Sequence, residues 1–111
     1  MANAFKSYTD TGIGTTEATV YTVPASTVAV VIGCNLANTT GDQITASVRL
    51  DKSVASGQDD VYIVRNIPIP NGSSFEFNAG NKIVMQTGDA LKVISDTAAS
   101  VDAVVSVLEQ T

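Results

Sequence analysis

The chain has no histidine and no tryptophan among its 111 residues, and it has one cysteine. Without histidine it lacks the commonest general base and the commonest metal ligand of proteins. A Cys–His pair, a Ser–His–Asp triad and a structural zinc site are therefore excluded. The single Cys34 also excludes an intramolecular disulfide, so stability has to come from packing or from assembly. Because Cys34 lies in an apolar run, we expect its thiol to be buried as a small hydrophobic group.

Basic residues are scarce, and the net charge is −5. A protein that holds nucleic acid through its phosphates needs clustered lysine and arginine. The six basic residues here are scattered singly along the chain: Lys6, Arg49, Lys52, Arg65, Lys82 and Lys92. We therefore expect no nucleic-acid partner.

The chain also lacks a long apolar run. The longest, "VAVVIGCNLA", is interrupted by Gly33 and Asn35 and is shorter than the roughly 20 residues of a membrane span. The N-terminal stretch "MANAFKSYTD" has no apolar core of the length that a secretory signal requires. We expect a soluble protein that is made in the cytoplasm and has no membrane partner.

What the chain does contain favours an all-β fold. Hydrophobic residues make up 44% of it, mostly valine, alanine and isoleucine, and threonine, serine, asparagine and glycine supply much of the remainder. β-branched residues suit a pleated sheet, and the small polar residues suit tight connections between strands. Turn signals every 8–12 residues are typical of a β-sandwich, and no segment shows a helical apolar stripe.

We predict a single-domain antiparallel β-sandwich, jelly-roll-like, with about eight strands. The segment "TVAVVIGCNL" (27–36) is a nearly continuous apolar run, which predicts a central strand buried on both faces. Pro68 and Pro70 cannot donate to a sheet ladder, so "IPIP" belongs on an edge or at a strand switch. The other predicted strands are 18–23, 44–50, 61–67, 74–78, 82–86, 90–95 and 101–110, with a turn at 79–81. Residues 1–16 are polar and have no clear period, so we predict an extended N-terminal arm, followed by the sandwich domain at 17–111.

The remaining route to catalysis is a carboxylate pair of the glycosidase kind. Nearly all candidates lie in or beside predicted turns, where aspartate bonds its own backbone, and the aromatic platforms that sugar sites use are few. No phosphate-binding glycine loop is present either. We expect no enzymatic activity, no catalytic residue and no cofactor. The carboxylates considered are Glu17, Asp42, Asp51, Asp59, Asp60, Glu76, Asp89 and Asp96.

A calcium site at Asp59 and Asp60, joined by Asp42 or Asp89, is a second possibility for these acids. The EF-hand spacing does not occur in the chain, so we interpret them as solvated loop carboxylates and predict no metal. In "QTGDALKVISD" (86–96), Gly88 gives the backbone freedom to turn. We predict that Asp89 caps that turn at the entrance to a strand.

The stretch "TVYTVPASTVAVVIGCNLANTTGDQITASVRL" (19–50) resembles the opening of small virion structural proteins of tailed bacteriophages, especially those of cyanobacteria and other marine bacteria. Later segments continue the resemblance: "IPIPNGSSFEF" (67–77), then "GD" before "ALKVISDTAASVDAVVSVLE" (90–109). The similarity covers residues 7–109. It implies a β-sandwich that assembles into particles, with no catalytic residues to carry over.

From this resemblance we expect a capsid decoration or cement protein, located in the virion. It would bind the head shell through symmetric assembly, with other virion proteins such as the major capsid protein as partners and a homo-oligomer, most simply a trimer, as its state. The alternatives are a neck, tail or baseplate component, or a tail-borne glycan-binding module. The residues expected at assembly contacts are Phe5 and Tyr8 in the arm, then Asp59, Asp60 and Tyr62. For Phe5 and Tyr8, local packing on their own subunit is the alternative.

Overall fold

The computed structural model describes residues 3–77 and 82–111 and shows a β-sandwich of nine antiparallel strands. The chain crosses between the two sheets at most of its connections, as a jelly-roll-like sandwich requires. The fold class predicted from the sequence is thereby confirmed. The predicted turn at 79–81 and residue 78 of a predicted strand lie outside the described residues.

The first sheet, called sheet I, has five strands. In spatial order they are β1 (Asn3–Ile13), β9 (Val101–Gln110), β3 (Val28–Asn38), and then β6 (Ser74–Phe77) and β7 (Ile83–Met85). The centre of the sheet is formed by β9 and β3. β6 pairs with the Cys34–Ala37 half of β3, and β7 pairs with the Ala29–Val31 half. On the other side, β9 pairs with β1 along almost its whole length.

The second sheet, called sheet II, has four strands. In spatial order they are β2 (Ala18–Thr22), β8 (Ala90–Ser95), β4 (Ile44–Asp51) and β5 (Val61–Ile69). The edge strand β5 contains Pro68. The prediction that "IPIP" belongs on an edge is therefore confirmed, because an edge strand can leave a backbone position without a donor. A single turn of 3₁₀ helix, Val54–Ser56, lies in the predicted 53–60 loop.

The core lies between the sheets and is built from alternate residues of their strands. Period-2 alternation brings every second side chain to one face, as the burial of β9 shows. Cys34 is one of the buried residues, as expected, and burial raises the pKa of its thiol to about 12. The largest fully buried aliphatic side chains are Leu36, Ile44, Ile69, Met85 and Leu91, with Val31, Val48, Val93, Val101, Val105 and Val107.

The structure corrects the predicted N-terminal arm. Most of the segment, Asn3–Ile13, is extended as predicted, but it forms β1 and pairs with β9 instead of lying outside the sandwich. Ile13 is a core residue, and Ser100 donates to its carbonyl. The sequence gives no signal for this strand because its side chains are mostly exposed and the pairing is made by the backbone. The boundary predicted at residue 16 therefore does not separate an arm from a domain.

The structure also corrects the prediction for β3. The strand is central, as expected, but only one of its faces is buried in the chain. Val28 and Ile32 are 42% and 40% exposed, whereas Ala29 and Val31 are fully buried. The apolar run is therefore longer than this subunit alone can bury, because the sandwich covers each sheet on one side.

The connection from β1 to β2 passes close to the turn between β8 and β9. A Cβ added to Gly14 would lie 2.9 Å from the backbone nitrogen of Ala99 and 3.0 Å from the Cα of Ala98. Only glycine allows the two backbones to approach this closely.

The described part of the chain contains no helix that is long and apolar enough to cross a membrane.

Candidate assembly surface

Asp89 holds a turn and a loop together, as a structural carboxylate. Its Oδ2 lies 2.6 Å from Nζ of Lys52 and accepts from the backbone nitrogen of Gln86, while its Oδ1 accepts from the nitrogen of Ser53. The Asp89 side chain is fully buried and that of Lys52 is 9% exposed. Burial alone would raise the pKa of Asp89, but these three donors outweigh it, and the pKa lies below its usual value.

The turn beside Asp89 has the local geometry that the sequence predicts. Gly88 has φ +87°, a conformation that other residues rarely adopt. A Cβ at this position would also lie 3.1 Å from the side chain of Ser53. The prediction that Asp89 caps the turn at a strand entrance is confirmed, and the structure adds the buried Lys52 partner.

Glu109 is a second buried carboxylate, and the sequence analysis missed it. It points inward from β9, with the hydroxyl groups of Tyr21 and Tyr8 donating to Oε2 at 2.6 and 3.0 Å and Nζ of Lys6 3.0 Å from Oε1. The hydrogen bond from Tyr21 is the strongest influence, and the pKa of Glu109 lies below its usual value. Glu109 thus joins β1 and β9 of sheet I to β2 of sheet II.

The loop carboxylate Asp60 is also held inside the subunit. Its Oδ2 accepts from the Arg49 guanidinium at 2.7 Å and its Oδ1 from the backbone nitrogen of Lys52. On its other side Arg49 makes a two-point contact with Glu17, whose pKa this contact lowers. These bonds fasten the 53–60 loop onto sheet II.

Asp89, Glu109 and Asp60 are therefore matched with cations, hydroxyl groups and backbone donors, an arrangement suited to fixing loops and strands. Among residues 3–77 and 82–111, no group of three or more potential metal ligands of the His, Cys, Asp or Glu type comes together. Asp59 and Asp42 are exposed, and the fold does not bring Asp89 to a solvent-facing cluster with them.

The outer face of sheet I carries a row of apolar side chains that crosses four strands. Phe5 of β1 is paired with Leu108 of β9, Leu108 with Val30 of β3, and Val30 with Val84 of β7. We call these four residues the sheet I row. Its two ends are the most exposed members, Phe5 at 78% and Val84 at 58%.

Further exposed apolar residues extend the sheet I row along β3 and β9. Val28 lies two residues before Val30, Ile32 lies at the register shift after it, and Val104 lies on the same face of β9 as Leu108. Exposed apolar patches of this kind are typical of protein–protein contacts on soluble proteins.

A smaller apolar surface lies at the edge of sheet II. Val54 of the 3₁₀ turn is 98% exposed, and Val61 and Tyr62 of β5 are about half exposed. The Arg65 guanidinium carbon lies 5.2 Å from the centre of the Tyr62 ring, so one face of that ring is already occupied.

The structure places the predicted contact residues at separate locations. Phe5 stands in the sheet I row, Tyr62 is half exposed on β5, and Asp59 is exposed in its loop. Tyr8 packs on its own subunit, with its ring centre 4.6 Å from that of Tyr21, which is the alternative considered for it. Asp60 is bound to Arg49. That these residues contact other subunits stays a prediction.

Sequence reasoning missed Val30, Val84 and Leu108, which stand beside Phe5 only because of strand register. The feature of the sequence that could have indicated this surface is the apolar run of β3. It has hydrophobic residues on both faces of the strand, more than one buried face requires.

Comparison with known proteins shows the fold and no family. No protein-family model and no curated protein matches the chain. The chain is similar to a solved structure described as "Bacillus endospore appendages form a novel family of disulfide-linked pili", with 18% sequence identity and a TM-score of 0.54. The match covers 99% of this chain and 87% of that one. At this identity the likeness shows that the two chains share a sandwich fold.

Proposed function

We propose that the protein is a non-enzymatic structural subunit that works in a multi-copy assembly, and that copies meet over the outer face of sheet I. The observation that carries the proposal is the sheet I row, in which apolar side chains of four strands stand side by side on a face that residues 3–77 and 82–111 leave uncovered. Complete burial of a valine or phenylalanine side chain contributes about 1.5–3 kcal/mol, so a neighbour that covers the row gains considerable stability.

Two further observations support a structural function. The buried carboxylates Asp89 and Glu109 are neutralised by fixed partners and stabilise loops and strands, rather than facing a substrate. The fold is shared with a subunit from endospore pili, a protein that itself forms an assembly. A second copy is the occupant that we assign to the face, because a symmetric assembly presents the same surface many times.

The contacts between copies would be non-covalent. The chain has one cysteine, and Cys34 is 3% exposed in the core. A single cysteine per subunit links at most two copies, so it cannot join a continuous filament. In this respect the proposed assembly differs from pili that are linked by disulfides.

The finer proposal is that the assembly is a tailed-bacteriophage particle, with this chain as a head decoration protein. It rests on the resemblance of residues 7–109 to virion structural proteins. The pilus-like fold favours a second candidate, a filament subunit of a surface appendage. Immunogold electron microscopy separates the two, because a decoration protein labels particle heads in hundreds of copies, whereas an appendage subunit labels filaments.

The test of the assembly surface is a charge placed at one end of the sheet I row. Val84→Lys puts an ammonium group where a neighbour would have to bury it, at a position exposed enough to leave the subunit folded. We expect the dissociation constant of the assembly to rise at least about tenfold, equivalent to about 1.4 kcal/mol, in sedimentation equilibrium. Val54→Lys is the matched control, since Val54 is exposed but belongs to the 3₁₀ turn between β4 and β5 of sheet II and is not a member of the sheet I row. Equal assembly of Val84→Lys and wild type would overturn the proposed surface.

A further inference from the structure

Residues 3–10 of β1 contribute one partly buried side chain, Tyr8, to the core of their own subunit. From Asn3 to Gly12 no side chain is fully buried, and Ile13 is the first core residue of the chain. Residues 3–10 are instead held by backbone pairing with β9, with Asn3 opposite Gln110 and Asp10 opposite Ala103. Release of this segment would leave the facing core residues of both sheets in place.

Two side chains of β1 fit a polar site that the rest of the chain forms. Lys6 and Tyr8 lie two residues apart on the same side of the strand, and both bind the nearly buried carboxylate of Glu109. The ring of Tyr8 also contacts that of Tyr21. Without β1, Glu109 would keep Tyr21 but lose a cation and a donor, which is unfavourable for a buried charge. The site therefore selects a strand that carries lysine and tyrosine at this spacing.

A break in the pairing separates the segment from the anchored chain. The register between β1 and β9 shifts between Asp10 and Ile13, and Gly12 has φ +64° with nothing near the position of a Cβ. The half-buried carboxylate of Asp102 holds this break by accepting from Thr11 and Gly12. Gly12 thus stands where the backbone has the freedom to redirect residues 3–10.

We infer that β1 docks on β9 of a second copy when the protein assembles, with Lys6 and Tyr8 bound to the neighbour's Glu109. The inference rests on the assembly proposed above and names one of its contacts. Every copy carries the same strand and the same site, so exchange preserves each hydrogen bond and ion pair of the closed subunit. Exchange of an identical element is a low-cost route to association.

Cysteines at Ser7 and Ser106 test the exchange. These residues lie directly opposite each other on β1 and β9, on the outer face of sheet I. Opposed residues of antiparallel strands have Cα atoms about 4.5–5.5 Å apart, within the range that a disulfide spans. Cys34 does not compete, because it is buried and its pKa of about 12 keeps the thiol protonated.

In the experiment, a Ser7→Cys chain and a Ser106→Cys chain are unfolded, mixed, refolded together, assembled and oxidised. If β1 is exchanged between copies, a denaturing gel should show a heterodimer that a reducing agent separates. Up to about half of the Ser106→Cys chains should be joined in this way, because each β9 pairs with a β1 taken at random from the two kinds of chain. The two single variants refolded separately are the controls for unspecific linkage. The double variant on one chain reports whether the same pair closes within a subunit.

Two results would overturn the inference, and they are distinguishable. In the first, the variants assemble like wild type and no heterodimer forms, while the double variant forms its disulfide within single chains. The exchange of β1 is then wrong, and the assembly proposal stands. If the wild-type chain stays monomeric at every concentration, the proposed function fails and exchange fails with it.

Discussion

At the scale of single residues, buried carboxylates with fixed partners are the main polar features of this protein. Asp89 is the clearest example, since one side chain satisfies an ammonium group and two backbone donors in the interior. The loss of one member of such a group lowers the stability of the fold, because the remaining polar groups stay buried without a partner.

Replacement of Asp89 by alanine should therefore destabilise the fold strongly. The change leaves Lys52 as a nearly buried cation without its counter-ion, and we expect a loss of about 3–5 kcal/mol in the free energy of unfolding. Chemical denaturation at neutral pH measures the loss. Asp59→Ala, at an exposed loop position, is the control and should change stability by no more than about 0.5 kcal/mol. Equal stability of the two variants would show that the Lys52 pair contributes little.

The role of Asp89 could be predicted in part from the sequence. Gly-Asp before an alternating strand indicates a turn with an aspartate cap, and this local geometry is found. The Lys52 partner could not be predicted, because it comes from a loop 37 residues away that only the sandwich brings near.

At the scale of elements, β1 and Glu109 depend on each other. The pKa of Glu109 lies below its usual value because Tyr21, Lys6 and Tyr8 stabilise the ionised form in the folded state. A depressed carboxyl pKa contributes stability that is complete above the unfolded value of about 4.3 and is lost as the pH falls through the folded value. Acidification should therefore loosen β1.

A Glu109→Gln variant tests this link between pH and β1. It loses the charge that holds Lys6, so we expect a decrease in unfolding free energy of about 1–3 kcal/mol at pH 7. The difference from wild type should shrink as the pH falls below about 4.3, because protonated Glu109 has also lost its charge. Denaturation midpoints at pH 7, 5 and 3.5 measure both effects. Glu76→Gln, an exposed change on β6, controls for the loss of one carboxylate. A pH-independent difference would contradict the assignment.

The elements differ in how far the sequence predicts them. β4 could be located from "ITASVRL" because one buried face forces strict alternation. β1 could not, because a polar edge strand is specified by backbone pairing and by a distant carboxylate. The sheet I row could not be predicted either, because its members come from four strands that are brought into register by pairing between distant parts of the chain.

At the scale of the whole molecule, the chain closes one core and leaves a row of apolar side chains exposed on the outer face of one sheet. The predicted sandwich is confirmed, and its fold is shared with a pilus subunit at 18% identity. The apolar run of β3 contributes to the core and to the exposed surface, because one of its faces is buried between the sheets and the other places Val30 in the sheet I row. A face of this kind is suited to contact with further copies.

The most direct test of this interpretation is the mass of the purified 111-residue chain in solution. Sedimentation equilibrium from micromolar to near-millimolar concentration should show species at multiples of the 11.5 kDa chain, increasing with concentration. A mass that stays at 11.5 kDa over the whole range would contradict the proposal that this protein is a self-assembling structural subunit.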